Sequence, residues 1–370
     1  MSNLQEETFP SDQPRHPVTH PGNKSGLKTL WLWLAALALV WGFHFAIAGE
    51  LDPYFFSIIM YAGINIILAV SLNLVNGFTG QFSMGHAGFM SIGGYLSAFI
   101  TTTLQAKYPG LLSDAVTGVP IFVAALALGG LLAAAAGYLV GLPSLRLKGD
   151  YLAIVTLGFG EIIRVIILNV DAIGGARGMP SIPQLSHFGW IYTLVTFTVF
   201  TIWRVLNSSH GRAFLAVRED EIAAEAMGVH TTRAKVRAFV LGAFFAGVAG
   251  GLFAHYLQYL NPQTFDFNRS FEVIIMVVLG GMGSITGSVI AAVFLTVVRE
   301  ALRPLQEITK VDFRMVIYSL MLIVLMLTRP NGILGTKELT DFLPFLKRKR
   351  GPLPDASSTP NAQQTGSAKS

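Results

Sequence analysis

Long apolar runs make up most of the chain, and short polar stretches separate them. A helix needs roughly 20 mainly apolar residues to cross a bilayer. By that measure the pattern predicts membrane helices over 30–48, 54–75, 120–142, 152–170, 190–206 and 238–259. Two further stretches are apolar but dense in glycine. Residues 76–100 carry Gly77, Gly80, Gly85, Gly88, Gly93 and Gly94 and read as an interrupted span. Residues 271–298 carry Gly280, Gly281, Gly283 and Gly287 and divide into two short spans meeting at Gly281–Ser284. Glycine inside a membrane segment lets helices approach closely or breaks them, and broken backbone is tolerated at that depth only inside protein or beside water. Gly137 and Gly141 form a GxxxG pair suited to helix packing. A last run at 315–327 brings the total to about ten. The expected fold is an all-α polytopic membrane protein with some helices interrupted.

A regular run followed by a glycine-interrupted one occurs at 54–100 and again at 238–298. Duplicated halves of this kind, often inverted repeats, are common in transporters, with the substrate route at the repeat interface. Glycine is frequent in membrane helices, so chance stays open as the other explanation. On the repeat reading, Asn76, Gly80, Ser83, His86, Gly281 and Ser284 are expected along the route.

Charge orients this arrangement. Lys24 and Lys28 precede the first span and Glu50 and Asp52 follow it, which puts the N-terminus in the cytoplasm. The basic loops 143–151, with Arg146 and Lys148, and 207–237 then both fall inside, as do both termini. The mixed-charge stretch 299–314 falls outside and fits less comfortably. A transmembrane core over 29–336 is flanked by a polar tail, 1–28, and a basic tail, 337–370, whose end is low in complexity and expected to be disordered. The 370 residues are 52% hydrophobic and 13% charged, which excludes an ordinary soluble domain. Cysteine is absent, so disulfides and thiolate sites are excluded. The basic balance belongs to loops beside the spans and does not point to nucleic acid.

The polar stretch 207–237 holds four Arg, one Lys and four acidic residues between two apolar runs. Its middle reads as a short helix. Glu219, Asp220 and Glu221 suit an N-terminal turn, Ile222/Ala226 and Ala223/Met227 repeat at i, i+4, and Gly228 suits a helix stop. It is either an ordinary loop or a handle for another protein.

Chemistry is sparse. The chain has no phosphate-binding G-x-x-x-x-G-K-[ST] and no H-E-x-x-H or G-x-S-x-G. No metal set or cofactor is implied, and an enzyme lacks a credible constellation. His86 is expected to be a helix-packing hydrogen bonder. Glu161 and Arg164, at i, i+3, are expected to be a mutually paired couple joining two helices. Without further buried acids, an ion-coupled secondary transporter, the rival class, lacks its usual machinery. A pathway driven by a separate ATPase through the polar handle fits better.

Several stretches carry a family resemblance: SLNLVNGFTGQFSMGHAGFMSIGGY (71–95), GLPSLRLKGDYLAIVTLGFGEIIR (141–164), GRAFLAVREDEIAAEAMGVHTTRAKVRAF (211–239), MVVLGGMGSITGS (276–288) and RPNGILG (329–335). From about Tyr54 to Gly335 the chain resembles the LivM-type permease of bacterial ABC importers for branched-chain amino acids. The resemblance implies an inner-membrane complex of this chain, a homologous second permease, two cytoplasmic ATPases and a periplasmic or extracellular binding protein. It also implies that Glu219, Asp220, Glu221, Ala223, Ala224, Glu225 and Gly228 form the coupling helix that enters a groove on the ATPase. Close relatives of this architecture import urea or short amides, so the substrate is open. Residues 174–183 depart from a common family pattern, with Met179 and Ser181 where Leu and Gly are usual, and the external loop is expected to differ there.

Overall fold

The computed structural model describes residues 24–47, 52–112, 114–145 and 150–302, with scattered positions between 316 and 335. The expected span 315–327, the centre of the 143–151 loop and both tails lie largely outside the described residues. Eleven helices are described: α1 (Lys24–Ile47), α2 (Pro53–Asn76), α3 (His86–Lys107), α4 (Ala115–Ser144), α5 (Asp150–Asn169), α6 (Phe188–Leu206), α7 (Ser209–Glu219), α8 (Glu221–Ala226), α9 (Thr231–Leu257), α10 (Phe267–Gly280) and α11 (Ile285–Ala301). No strand occurs among the described residues beyond one antiparallel bridge, Met179 to Leu260.

Five of these helices, α2, α4, α5, α6 and α9, are long and apolar enough to cross a membrane. This is a narrower set than the ten runs of the sequence: α10 and α11 are only 14 and 17 residues long, and the 315–327 run lies largely outside the described residues. Residues 76–100 are not one interrupted span. Asn76 ends α2, residues 77–85 are non-helical, and α3 starts at His86 and runs on to Lys107. The division of 271–298 falls where the sequence put it, between Gly280 and Ile285.

The two most buried spans, α2 and α9, form the centre. α9 packs against α2, α3 and α4, and glycine sets how closely. Lipid tails are as apolar as leucine, so helices in a bilayer associate through close van der Waals contact rather than through escape from water. A side chain at Gly93 would strike the backbone of Gly247, and one at Gly250 would strike the backbone of Met90. Gly137 and Gly141 of α4 fit against Ala243 and Phe239 of α9, so the GxxxG pair packs as its spacing suggests. His255 is hydrogen-bonded to Thr101 at 2.9 Å and ties the far end of α9 to α3. Outside this centre, α4 and α5 turn Leu131, Leu139, Ile154 and Ile166 outwards, an apolar belt of the kind a bilayer requires.

The loop between α5 and α6 is pinned to the end of α9. Met179 N–H donates to the Leu260 carbonyl at 2.8 Å and Leu260 N–H returns the bond at 3.0 Å. Ser181, where the family commonly has glycine, takes φ +60°. That is left-handed backbone, which glycine adopts freely and other L-residues do not.

Two outcomes follow from this packing. Gly250→Val is expected to abolish folded, monodisperse protein after detergent extraction, because the backbone of α3 cannot retreat. Gly158→Ala, which meets nothing within 4 Å, is expected to extract normally. Ser181→Gly is expected to stabilise by about 1 kcal/mol, the left-handed penalty removed, read as a rise in the thermal unfolding midpoint in detergent.

Candidate functional site

Both helix breaks meet at the end of α2. Gly281 and Gly283 take φ values of +111° and +96°, which lets the chain leave α10 and turn into α11 within four residues. Peptide groups freed by such a break need partners, since buried and unpaired ones cost free energy comparable to a lost hydrogen bond. Asn73, fully buried on α2, supplies them. Its Oδ1 accepts from Gly283 N–H at 2.9 Å, and its Nδ2 donates to the Ser284 carbonyl and to Ser288 Oγ, both at 2.8 Å. Ser284 Oγ caps α11 by accepting from Gly287 N–H.

The break at 77–85 is closed by its own pair. Asn76 Oδ1 accepts from Ser83 N–H at 3.1 Å, and Asn76 Nδ2 donates to the Ser83 carbonyl. Residues 332 and 333 return to the same place, with Ile333 N–H bonded to the Leu279 carbonyl at 2.9 Å and Gly332 against Gly281. Five of the six residues expected along the route, Asn76, Gly80, Ser83, Gly281 and Ser284, therefore belong to one packed joint. His86 stands apart at the start of α3, hydrogen-bonded to Ser71 of α2 at 2.9 Å, the packing role expected of it.

One side chain from the polar stretch reaches this joint. Arg218, on the last turn of α7, lays its stem against Gly80 and its guanidinium against Gly283. Both glycines have positive φ, and at Gly283 the absence of a side chain makes the space for the Arg218 guanidinium. Nothing in the spacing of the sequence singled out this arginine.

The polar stretch is more helical than expected. α7 fills its first part and α9 begins at Thr231, inside it. Glu219 does not open the short helix; it closes α7, because the chain turns to extended backbone at Asp220. Asp220 is the N-cap of α8, accepting from Ile222 and Ala223 N–H at 2.8 and 3.0 Å. Gly228 takes φ +83° just beyond the helix, as a stop glycine does. Glu221 turns inward to Lys235 of α9 at 2.7 Å, with the lysine side chain only 2% exposed, and Ala224 is buried beside it. Ala223 and Glu225 face out. Asp220 and Glu221 are therefore spent on fixing α8, and beside the exposed Glu225 its outer side carries two large apolar side chains: Ile222 is 74% and Met227 84% exposed.

The Glu161–Arg164 pair forms as expected, with the guanidinium bonded to both carboxylate oxygens. It lies within α5 and so does not join two helices. Sequence reading missed a second ionic group. Arg269 near the start of α10 is buried, donating from Nη2 to Asn65 Oδ1 at 2.8 Å and from Nη1 to Glu272 Oε2 at 2.9 Å. Arg299 of α11 donates to the same Oε2 at 3.2 Å. The available signal was Asn65 in mid-span, together with Arg269 and Glu272 at i, i+3 beside an apolar run.

The family described as "branched-chain amino acid transport system / permease component" matches residues 54–326. That interval contains the joint, α7–α8 and the Arg269 group. The chain belongs to this family. It is 36% identical over 359 residues to the high-affinity branched-chain amino acid transport system permease protein LivM of Salmonella typhimurium, covering 88% of this chain and 77% of the relative. The LivM protein of Escherichia coli is 36% identical over 353 residues, covering 86% and 76%. LivH of Salmonella typhimurium is 27% identical over 293 residues, covering 74% and 92%. No solved structure matches the chain.

In this permease, then, the sequence-conspicuous island and the two glycine clusters form one connected body. The ion pair that fixes α8 gives a direct test. Glu221→Gln leaves Lys235 buried beside a neutral partner and is expected to destabilise the purified permease by about 3–5 kcal/mol. Replacing both, Glu221→Leu with Lys235→Met, is expected to recover most of that loss. Thermal unfolding midpoints of the single and the double variant check it, and equal losses in both would contradict it.

Proposed function

We propose that this permease is one of two homologous membrane subunits of an ATP-driven importer of branched-chain amino acids. In this reading it sits in the inner membrane with about ten crossings and both termini cytoplasmic. Two cytoplasmic ATPases drive it and a periplasmic or extracellular binding protein supplies it. The membership of the family and the resemblance to LivM and LivH support the substrate class.

The observation that carries the mechanism is the continuity from α8 to the joint. An apolar knob, Ile222 and Met227, stands on a helix bonded rigidly to α9 through Glu221 and Lys235. Immediately before that helix, Arg218 rests on both helix breaks. A groove on the ATPase that takes up the knob moves α8, and with it α7 and Arg218. The joint of Asn76, Gly80, Ser83, Gly281 and Ser284 is then the gate at the cytoplasmic end of the route. Work passes only if the two states of the gate differ in their contacts with Arg218, and two positive-φ glycines beside a movable arginine supply that difference. The coupling residues act in three groups. Glu219 and Asp220 set the turn, Glu221 and Ala224 anchor the helix, and Ala223, Glu225 and Gly228 border the knob.

The test is reconstitution of the four-component complex in vesicles. Ile222→Asp with Met227→Asp is expected to abolish ATPase co-purification, with the permease still inserted. Arg218→Ala is expected to keep the ATPases bound and hydrolysing ATP while leucine uptake falls about tenfold or more, the change expected when about 1.4 kcal/mol of coupling is lost. Uptake by this chain alone under an ion gradient would overturn the reading.

A further inference from the structure

A cavity of about 630 Å³ opens at the end of the bundle remote from α8. Phe253, which lines it, lies roughly 33 Å along α9 from Thr231 at the helix rise of 1.5 Å per residue. The volume falls in the range of small-molecule sites, about 300–1,000 Å³. One wall is aromatic. Tyr61 stands edge-on to Tyr256 with ring centroids 5.3 Å apart, and Phe253 lies beside both Tyr61 and the Arg269 guanidinium. The ionic group of Arg269, Glu272 and Arg299 lines the same space, with Asn65 behind it.

The bonding in that group leaves capacity for a ligand. Arg269 spends two of its five N–H donors on Asn65 and Glu272. The Arg299 side chain is 37% exposed and spends one on Glu272. Both arginines bond the same oxygen of Glu272, Oε2, which leaves Oε1 without a protein partner among the described residues. Two guanidiniums with spare donors therefore adjoin the Glu272 carboxylate with its spare acceptor, in a cavity that Asp266 and Glu300 also line and that aromatic rings wall on one side. Ionisable groups kept open inside a membrane protein mark a ligand path by default.

We propose that this cavity is a binding site in the permease itself for a free α-amino acid as its zwitterion. The ligand carboxylate takes the spare N–H donors of Arg299 and Arg269, a charge-assisted and bidentate match. Its ammonium donates to Glu272 Oε1. Its branched aliphatic side chain lies against Tyr61, Phe253 and Tyr256. The choice of ligand rests on the importer reading above, whereas the site rests on the cavity and its ionic group. The site needs both charges of the ligand, and the permease thereby holds substrate after the binding protein lets go.

The chain has no cysteine, so a single one reports on the cavity without background from this subunit. Gln263→Cys introduces a thiol at an exposed position on the cavity wall. The complete complex is treated with a membrane-impermeant cationic methanethiosulfonate, and label on this chain is counted after separation of the subunits. Leucine at ten times its half-protecting concentration is expected to slow labelling about tenfold, as mass action on one site requires. The decarboxylated amine and the deaminated acid of leucine, each lacking one charge, are expected to protect only at concentrations about tenfold or more higher. Arg299→Gln, on the more exposed side chain, and Glu272→Gln are each expected to raise the half-protecting leucine concentration about tenfold or more. An unchanged labelling rate without leucine shows that the variants are folded. Absence of protection, or equal protection by all three compounds, overturns the site. ATP-driven leucine uptake by the same unaltered complex separates the two proposals: uptake without protection sinks the cavity alone, and protection without uptake sinks the importer reading.

Discussion

The carboxamide of Asn73 is what allows the rest of this molecule to exist at membrane depth. A helix that stops inside a bilayer exposes peptide groups that lipid cannot satisfy. Here α10 stops at Gly280 and α11 starts at Ile285, and the Gly283 N–H and Ser284 carbonyl freed between them are met from one side chain on a neighbouring helix. Asparagine is suited to this because it both donates and accepts. A carboxylate offers no donor when ionised, and an ammonium offers no acceptor. With those bonds made, two short helices can replace one long one, and the gap between them can be occupied by an arginine from outside the bundle.

That arrangement explains why glycine is concentrated where it is. Along the α3–α9 contact, glycine removes side chains so that two backbones can touch. At Gly80 and Gly283 it has another use. It permits left-handed backbone and, at Gly283, also leaves the volume that the Arg218 guanidinium fills. The first kind of position is static packing. The second is a place where a neighbour can shift without breaking a covalent or hydrogen-bonded constraint of the glycine itself. A moving part therefore belongs at the joint and not along α3–α9, although the glycine content of the two regions is alike.

The sequence shows the second break clearly because its glycines are consecutive and flanked by long apolar runs. The first break is displaced from expectation for a physical reason. Residues 86–100 carry as many glycines as 77–85, three each, and composition cannot separate glycine used for close approach from glycine used for a turn. The short helix α8 was legible from its stop glycine and its acids, but the direction of those acids was not. Glu221 reads as a surface charge until the buried Lys235, fourteen positions on, is found beneath it. Arg218 and Arg269 were invisible for a related reason: each gains its meaning from a partner far away in the chain, at Gly283 or at Asn65, and no local periodicity encodes such a pairing.

These placements divide the molecule along its long axis. One end holds a rigidly anchored apolar knob and an arginine set against two breaks. The other holds an open ionic group beside aromatic rings. α2 joins them, since Asn65 bonds Arg269 and, two turns further on, Asn73 bonds the break between α10 and α11. α10 spans the same interval, with Arg269 in its first turn and Gly280 at its end. Two helices thus share both ends, each end fixed by an asparagine of α2. A shift of α10 relative to α2 cannot alter the joint without loading the Asn65–Arg269 bond, so the charge group and the breaks respond to each other through a single rigid element. This is the minimum a conduit needs if events at its α8 end are to be felt at the Arg269 end.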